Sequence, residues 1–240
     1  MSESVLPGGS VNRVLRVGDT VRRTPQDRAG FVHELLRLLE RRGFRAAPRF
    51  LGVDAEGREI LSYVEGRAQW EPRPALSDDS VARVAELVRG FHDLTAGSAL
   101  AGGSPVVCHN DLAPRNTVYD ADGVPVALID WDLAAPGERL HDVAHVCWQY
   151  LGLGPALADA DAAGRRMRLV ADAYGMAPGV RGALYGAVLW WQDRCRRGIA
   201  AGAEAGDPAM VRLRAAGAVG EVAAAHDWTV AHRAELTAAL

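Results

Sequence analysis

The sequence predicts an α+β protein in which an antiparallel sheet comes first and helices dominate the second half. Short apolar runs separated by Gly- and Asp-containing turns fill residues 11–64, as strands and hairpins do. Beyond residue 139 the chain is rich in Ala, with apolar positions at helical spacing. Between these halves, two further apolar runs each lead into an acidic segment. With 240 residues, the chain can bury a full core as one large domain or as two close-packed lobes.

The first half is predicted to contain two hairpins with a helix between them. The predicted strands cover residues 11–17, 20–23, 49–53 and 59–64. Gly18-Asp19 supplies one turn and residues 54–57 supply the other. The helix between the hairpins ends at Gly43. Its predicted apolar face consists of Phe31, Leu35, Leu38 and Leu39.

Further helices are predicted on both sides of the acidic segments. Ser77-Asp78-Asp79 is a capping sequence for the first of them. Its inward positions recur at helical spacing: Val81, Val84, Leu87, Val88, Phe91 and Leu94. Interruptions by Gly and Pro divide the remainder into helices predicted over 139–152, 155–175, 178–200 and 207–237.

Composition argues against several classes of protein. No apolar run approaches the roughly 20 residues that a membrane helix needs, and the N-terminus lacks a basic region followed by an apolar stretch. The three Cys are widely spaced, so we expect free thiols in a reducing cytoplasm. A formal net charge of −3 favours neither nucleic acid nor an anionic membrane as partner. The oligomeric state is left open.

The two acidic segments carry the chemical signal. Residues 109–116 read H-N-D-L-A-P-R-N after the apolar run 105–108, and the apolar run 124–129 leads into Asp130-Trp131-Asp132. A lone Asp-x-x-x-x-Asn is usually only a polar turn, but this order and spacing indicate a phosphoryl-transfer site. The first Asp can accept a proton from a hydroxyl, while the Asn and the later Asp can hold Mg²⁺.

At these residues the chain resembles the aminoglycoside phosphotransferase family. The resemblance rests on His109, Asp111 and Asn116, on Ile129-Asp130, and on Asp142 before Val143-Ala144. It implies a bilobal protein-kinase-like fold, with residues 1–65 as a small antiparallel-sheet lobe containing one helix and 66–240 as a larger, mainly helical lobe. It also implies ATP (or GTP) and Mg²⁺ as cofactors. Asp111 would be the catalytic base, Asn116 and Asp130 metal ligands, and His109 and Asp142 structural residues. Asp132 would support a second metal or its water shell.

The first half would then bind the nucleotide. Backbone N–H groups of Gly8, Gly9 and Ser10 can approach phosphates. All 27 basic residues are Arg, so an arginine must replace the lysine that grips the phosphates in kinases. Strand alternation places Val21 and Arg23 on one face; the resemblance makes Val21 the adenine-facing residue and favours Arg23 over Arg22 for the lysine role. The remaining assignments are Glu34 as the ion-pair partner of Arg23, and Tyr63 and Val64 as the adenine-binding hinge.

Two sets of residues in the second half have alternative interpretations. His141 and His145 share a helix face and could hold Zn²⁺, but no third ligand is evident in the sequence. Trp191 and Asp193 are candidates for substrate contacts, because the resembled family has its substrate cleft in this half. The alternative is that these aromatic residues belong to the core.

The acceptor is expected to be a small hydroxylated molecule. Residues 111–116 also resemble the catalytic loop of protein tyrosine kinases, which suggests that Arg115 orients the acceptor or the γ-phosphate. However, Trp131 follows Asp130 where protein kinases have Phe-Gly, and no long activation loop fits before residues 135–138. Eleven acidic residues and eleven Arg lie in 133–240, so no strong field would steer a polycation. Antibiotics, sugars and amino alcohols stay open, as do a peptide-hydroxyl kinase of a biosynthetic pathway and a non-catalytic nucleotide- or toxin-binding immunity protein.

Overall fold

The computed structural model describes residues 3–6, 14–68 and 76–240. The chain divides into two compact units by its internal contacts. The first consists of Met1–Ala75 and Glu86–Arg139, and the second of Leu76–Ala85 and Leu140–Leu240. An antiparallel sheet in the first part and a mostly helical remainder confirm the predicted α+β class. The lobe boundary between residues 65 and 66 stays a prediction.

A five-stranded antiparallel sheet lies in the first unit, in the order β1-β2-β3-β5-β4. Its strands are β1 (Glu3–Val5), β2 (Leu15–Val17), β3 (Thr20–Arg23), β4 (Phe50–Val53) and β5 (Glu59–Ser62). Each predicted range contains a strand, although β5 ends before Tyr63. β2 covers only the end of the predicted 11–17, and residues 11–13 lie outside the described residues. β1, which pairs with β2, was not predicted, since a three-residue strand leaves little periodic signal. The register of β3 on β5 sets Arg23 opposite Glu59.

Helix α1 (Ala29–Arg41) follows the first hairpin. Its buried face consists of Val32, Leu35, Leu36 and Leu39. Leu35 and Leu39 are confirmed on this face, whereas Phe31 and Leu38 are only half-buried, and Val32 and Leu36 take their places. The spacing of the observed face, i, i+3, i+4 and i+7, is that of an amphipathic helix against a core.

Short strands in the first unit hold the two acidic segments. β6 (Arg67–Ala68), β8 (Thr117–Tyr119) and β9 (Pro125–Leu128) form a three-stranded sheet, and β7 (Val106–Cys108) pairs with β10 (Ala135–Gly137). The loop after β7 contains residues 109–116, and the chain reaches Asp130 directly after β9. β7 is fully buried, which fixes the start of that loop.

The remaining helices differ from the predicted ones mainly in where they break. They are α2 (Asp78–Thr95), α3 (Arg139–Leu151), α4 (Ala160–Tyr174), α5 (Pro178–Arg181), α6 (Ala183–Glu204), α7 (Pro208–Ala215), α8 (Ala218–Ala231) and α9 (Arg233–Thr237). The predicted helix 155–175 begins only at Ala160, because the Asp159 side chain caps it by accepting from the Ala162 amide. The predicted helix 207–237 is three helices, with Gly217 in the left-handed region at the first break. Among the described residues, no helix is long and apolar enough to cross a membrane.

Gly66 precedes β6 at a close approach between backbones. Its φ is +136°, and a Cβ built there would lie 2.5 Å from the carbonyl oxygen of Tyr119 and 2.6 Å from a side-chain carbon of Val118. Both contacted residues belong to β8, which pairs with β6. Only glycine satisfies the backbone angle and the space together.

We expect Gly66→Ala to lower the free energy of unfolding by about 1–3 kcal/mol. Gly57→Ala is the matched control, because Gly57 also has a positive φ (+79°) but nothing within 4 Å of an added Cβ. Its cost should be about 1 kcal/mol, from the backbone angle alone. Urea denaturation of both variants checks this, and equal costs would argue against the close approach at β8.

Candidate active site

The loop that follows β7 is fastened to the end of β9 by His109. The fully buried imidazole accepts from the Asp111 amide at Nδ1 (3.3 Å), so its Nε2 donates to the carbonyl of Ile129 (3.1 Å). The ring also packs on Trp131, with centroids 4.5 Å apart. A backbone bond from the Ile129 amide to the carbonyl of Asn116 (2.9 Å) adds a second link. These contacts fit the structural role predicted for His109.

Two residues at this junction have left-handed backbone angles. Asn110 has φ +64° and Asp130 has φ +65°, and no other described non-glycine residue has a positive φ. Asn and Asp tolerate this region best among residues with a Cβ, but they still require surrounding support. The Asn110 side chain gives part of it by donating to the carbonyl of Leu133 (3.0 Å). The two acidic segments are thereby joined at a third point.

The Asp111 carboxylate is held at both oxygens. Arg115 Nη2 donates to Oδ1 (2.7 Å), and Asn116 Nδ2 donates to Oδ2 (2.7 Å) and to the Asp111 carbonyl (2.8 Å). Each carboxylate oxygen has a further lone pair with which to accept a proton. Burial raises the pKa of the Asp111 carboxyl above its ordinary value, although Arg115, His109 and Asn116 oppose the shift. The Asp111 carboxylate is thus held in a fixed position with a raised pKa, and its role as base stays a prediction.

The guanidinium of Arg23 connects the first sheet to the second acidic segment. Its Nε donates to Glu59 Oε1, and its Nη1 lies 3.3 Å from Asp130 Oδ1 and 3.1 Å from Asp132 Oδ2. Nη2 bonds the other oxygen of Asp132. Burial opposes the positive charge, but Asp132, Glu59 and Asp130 outweigh that effect and raise the pKa of Arg23. Burial also raises the pKa of Asp132. Arg23 lowers this pKa and Asp130 raises it, and the net shift is upward.

The prediction that Glu34 pairs with Arg23 was wrong. Glu34 points to solvent and pairs with Arg37 one turn along α1 (2.6 Å). Arg23 instead pairs with Glu59, which sequence reasoning missed and which is only 1% exposed. The available signal was the alternation of β5, which gives Glu59 the same face as the buried Leu61.

The other nucleotide-binding residues predicted in the first half are only partly described. Arg22, the alternative to Arg23, lies near Asp54 instead (3.7 Å). Val21 lies opposite Leu61 in the sheet. The N–H of Tyr63 already donates to the carbonyl of Asp19 (2.9 Å), so it is not available to a nucleotide in this arrangement. Gly8, Gly9 and Ser10 fall outside the described residues, and the roles of Val21 and Val64 stay predictions.

In the second unit, Trp191 is a core residue. It is 7% exposed, its indole N–H donates to the carbonyl of His141 (2.6 Å), and its ring stacks on His145. Packing therefore accounts for Trp191. The ring of His141 stacks on Trp190, the residue next to Trp191 in the chain. A substrate contact by Trp191 stays a prediction.

Asp193 and Asp142 lie in different surroundings within the same unit. Asp193 pairs with Arg196 (2.9 Å) and Arg197. Asp142 is fully buried in the first turn of α3. The substrate contact predicted for Asp193 and the supporting role predicted for Asp142 remain predictions.

Comparison with known proteins identifies the family of this chain. The sequence pattern of the phosphotransferase enzyme family (APH) matches residues 95–177, which include both acidic segments. The trifolitoxin immunity protein of Rhizobium leguminosarum bv. trifolii is 34% identical over 207 residues, covering 75% of this chain and 77% of the relative. The chain belongs to the phosphotransferase enzyme family.

Solved structures agree with the kinase-like fold of this family. A choline/ethanolamine kinase family protein from Mesorhizobium loti superimposes with a TM-score of 0.62 at 18% identity, over 99% of this chain and 93% of the other. A spectinomycin phosphotransferase, solved in complex with ADP and spectinomycin, gives a TM-score of 0.62 at 10% identity, over 97% and 93%. At these identities the similarity establishes the fold.

The acidic residues of this phosphotransferase-family chain fit a divalent cation. Asp130 and Asp132 already surround a cationic group, the Arg23 guanidinium, and Glu59 adds a third carboxylate. Three carboxylates exceed the single positive charge of Arg23, so a bound divalent cation would balance them. Carboxylate and amide oxygens are the donors that Mg²⁺ prefers. Asp130 is the most exposed of these carboxylates, at 46%, and therefore the most accessible to an incoming ion.

We expect Asp111→Asn to stabilise the protein at neutral pH. Because the pKa of Asp111 is raised on folding, its ionised form is disfavoured in the folded state, and its contribution to stability is lost as pH rises through that pKa. The amide removes this cost, so the gain in unfolding free energy should be present at pH 7 and shrink as pH falls toward about 4, the ordinary pKa of Asp in an unfolded chain. Urea denaturation at both pH values, with the exposed Asp122→Asn as control, checks this. A less stable Asp111→Asn at pH 7 would refute the interpretation.

Proposed function

We propose that this chain transfers the γ-phosphoryl group of a Mg²⁺-bound nucleotide to a hydroxyl group of a small molecule. The observation that carries the proposal is the juxtaposition of a doubly held base with a cation-binding acidic pair. Asp130 is near enough to Asp111 to contribute to the raised pKa of Asp111. Membership of the phosphotransferase enzyme family and the ADP-bound fold neighbour support the use of a nucleotide.

Asp111 would accept the proton of the acceptor hydroxyl. As the hydroxyl oxygen bonds to the γ-phosphorus, the bond from that phosphorus to the β–γ bridging oxygen breaks, and its electron pair leaves with the nucleoside diphosphate. The hydroxyl proton passes to an Asp111 oxygen that Arg115 or Asn116 already holds in place. Since most of the catalysis in such transfers is positioning, a fixed carboxylate is the main contribution of this loop.

Asn116, Asp130 and Asp132 would hold the metal. When bound, Mg²⁺ neutralises charge on the transferring phosphates. Asn116 uses its Nδ2 for Asp111, and the amide oxygen is the atom it can offer to a cation. Arg23 would take phosphate oxygens with its two terminal nitrogens, because the guanidinium fork matches phosphate in a bidentate manner.

A second candidate function is immunity to a toxin. It is favoured by the 34% identity to a protein named for trifolitoxin immunity. A phosphotransferase that modifies a hydroxyl of the toxin would combine both functions, whereas a protein that sequesters the toxin would need no base. The arrangement of Asp111, Arg115 and Asn116 supports modification over sequestration.

We expect Asp111→Asn to reduce phosphoryl transfer by about 10²-fold or more, the usual contribution of a general base, with nucleotide affinity nearly unchanged. The assay is mass spectrometry of products formed from Mg-ATP or Mg-GTP and a library of hydroxylated antibiotics, sugars, amino alcohols and short peptides. Glu34→Gln, an exposed acid that pairs only with its helix neighbour Arg37 among the contacts described, is the control. Full activity of Asp111→Asn would eliminate its role as base. Toxin binding without any phosphorylated product would favour sequestration.

Asp130→Ala should remove the Mg²⁺-dependent part of nucleotide binding, because it deletes the most exposed carboxylate around Arg23. Titration calorimetry with ADP, with and without Mg²⁺, measures this part directly. Asp122→Ala, in the turn between β8 and β9, is the control. Unchanged Mg²⁺ dependence in Asp130→Ala would exclude this residue as a metal ligand.

A further inference from the structure

We propose that Glu59 on β5, supported by His33 on α1, is the residue that positions Arg23 for the nucleotide phosphates. The inference rests on the proposed function and assigns roles that the sequence did not suggest. In protein kinases, the phosphate-binding lysine is paired with a glutamate on a helix. Here the helix glutamate, Glu34, points away, and the acid comes from a strand.

Glu59 binds one particular edge of the Arg23 guanidinium. Glu59 takes the Nε edge of Arg23, while both terminal nitrogens face Asp130 and Asp132. Because the guanidinium is rigid and planar, anchoring Nε fixes the direction in which the terminal pair points. A lysine ammonium has no second edge to anchor in this way. Glu59 therefore aims the phosphate-binding fork of Arg23 at the acidic segment.

The carboxylate of Glu59 is itself held in place. Its other oxygen, Oε2, lies 2.7 Å from Nε2 of His33, and the His33 ring stacks on Phe50 of β4 at 3.7 Å. Glu59 is only 1% exposed, so solvent does not compete for its carboxylate. The Glu59 carboxylate on β5 thus joins β3 to α1, and the His33 ring continues the contact to β4.

Two sets of groups compete for the terminal nitrogens of Arg23. Asp130 and Asp132 bind these nitrogens, yet the same carboxylates are the proposed metal ligands. Once a metal takes those carboxylates, Glu59 is the acid that remains bound to Arg23 and keeps it at the site. Without Glu59, the guanidinium would stay with Asp130 and Asp132 and oppose the metal.

The test is a double-mutant cycle on nucleotide affinity. Calorimetry with ADP, with and without Mg²⁺, is applied to the unmutated protein, Glu59→Gln, Arg23→Met and the double variant. We expect Glu59→Gln alone to weaken Mg-ADP binding about tenfold or more, as losing a charged hydrogen bond does. In the Arg23→Met background, the same substitution should change affinity by less than about twofold, because there is no guanidinium left to position. Equal losses in both backgrounds would mean that Glu59 acts only on the structure, and would overturn the proposal.

Two further variants separate positioning from folding. Glu34→Gln is the matched control and should leave affinity unchanged. His33→Gln, which can still donate to Glu59, should retain affinity that His33→Ala loses; identical behaviour of the two would contradict the role of His33. Phosphoryl transfer is measured separately on the unmutated protein. Binding without transfer would refute the proposed function alone, whereas binding that is insensitive to Glu59→Gln would refute this inference alone.

Discussion

The buried guanidinium of Arg23 is the interaction on which the candidate site depends. Its side chain is 12% exposed, and a charge so placed is tolerated only where partners replace the hydration it has lost. Those partners come from two parts of the first unit, Glu59 on the adjacent strand and Asp130 with Asp132 after β9. The register of β3 on β5 and the position of the acidic segment are therefore constrained by the same side chain. Any change that separates them takes partners away from a buried charge.

The loop that contains Asp111 is held in a different way, by hydrogen bonds over short distances and by left-handed backbone angles. His109 and Asn110 each reach to the acidic segment, at the carbonyls of Ile129 and Leu133. Left-handed conformations at Asn110 and Asp130 cost free energy that these bonds offset. The residues proposed as base and metal ligands are consequently held in place by the chain itself, which suits a reaction whose catalysis consists mostly of positioning.

The sequence was sufficient where spacing alone determines geometry. Asp111 and Asn116 contact each other because a five-residue turn leaves them little alternative. Strand alternation together with the family resemblance favoured Arg23 over Arg22, and Arg23 is the residue that bonds Asp132. Glu59 was missed because it lies 36 residues from Arg23, and only the pairing of two hairpins brings them together. The breaks within the last helices were missed for another reason. Ala occupies both faces there, so the pattern contains no boundary between buried and exposed positions.

If Arg23 takes the place of a phosphate-binding lysine, as proposed, it alters which reagents can recognise a nucleotide site in this protein. Nucleotide analogues that carry an acylating group label kinases by transferring it to the amine of that lysine, whereas a guanidinium stays protonated and is a poor nucleophile. No residue of the chain is Lys, so no side chain offers such an amine anywhere. A chemoproteomic survey that relies on amine acylation would pass over this protein even with its nucleotide site fully occupied. Reagents directed at guanidinium groups, such as dicarbonyls, are the ones suited to reporting on it.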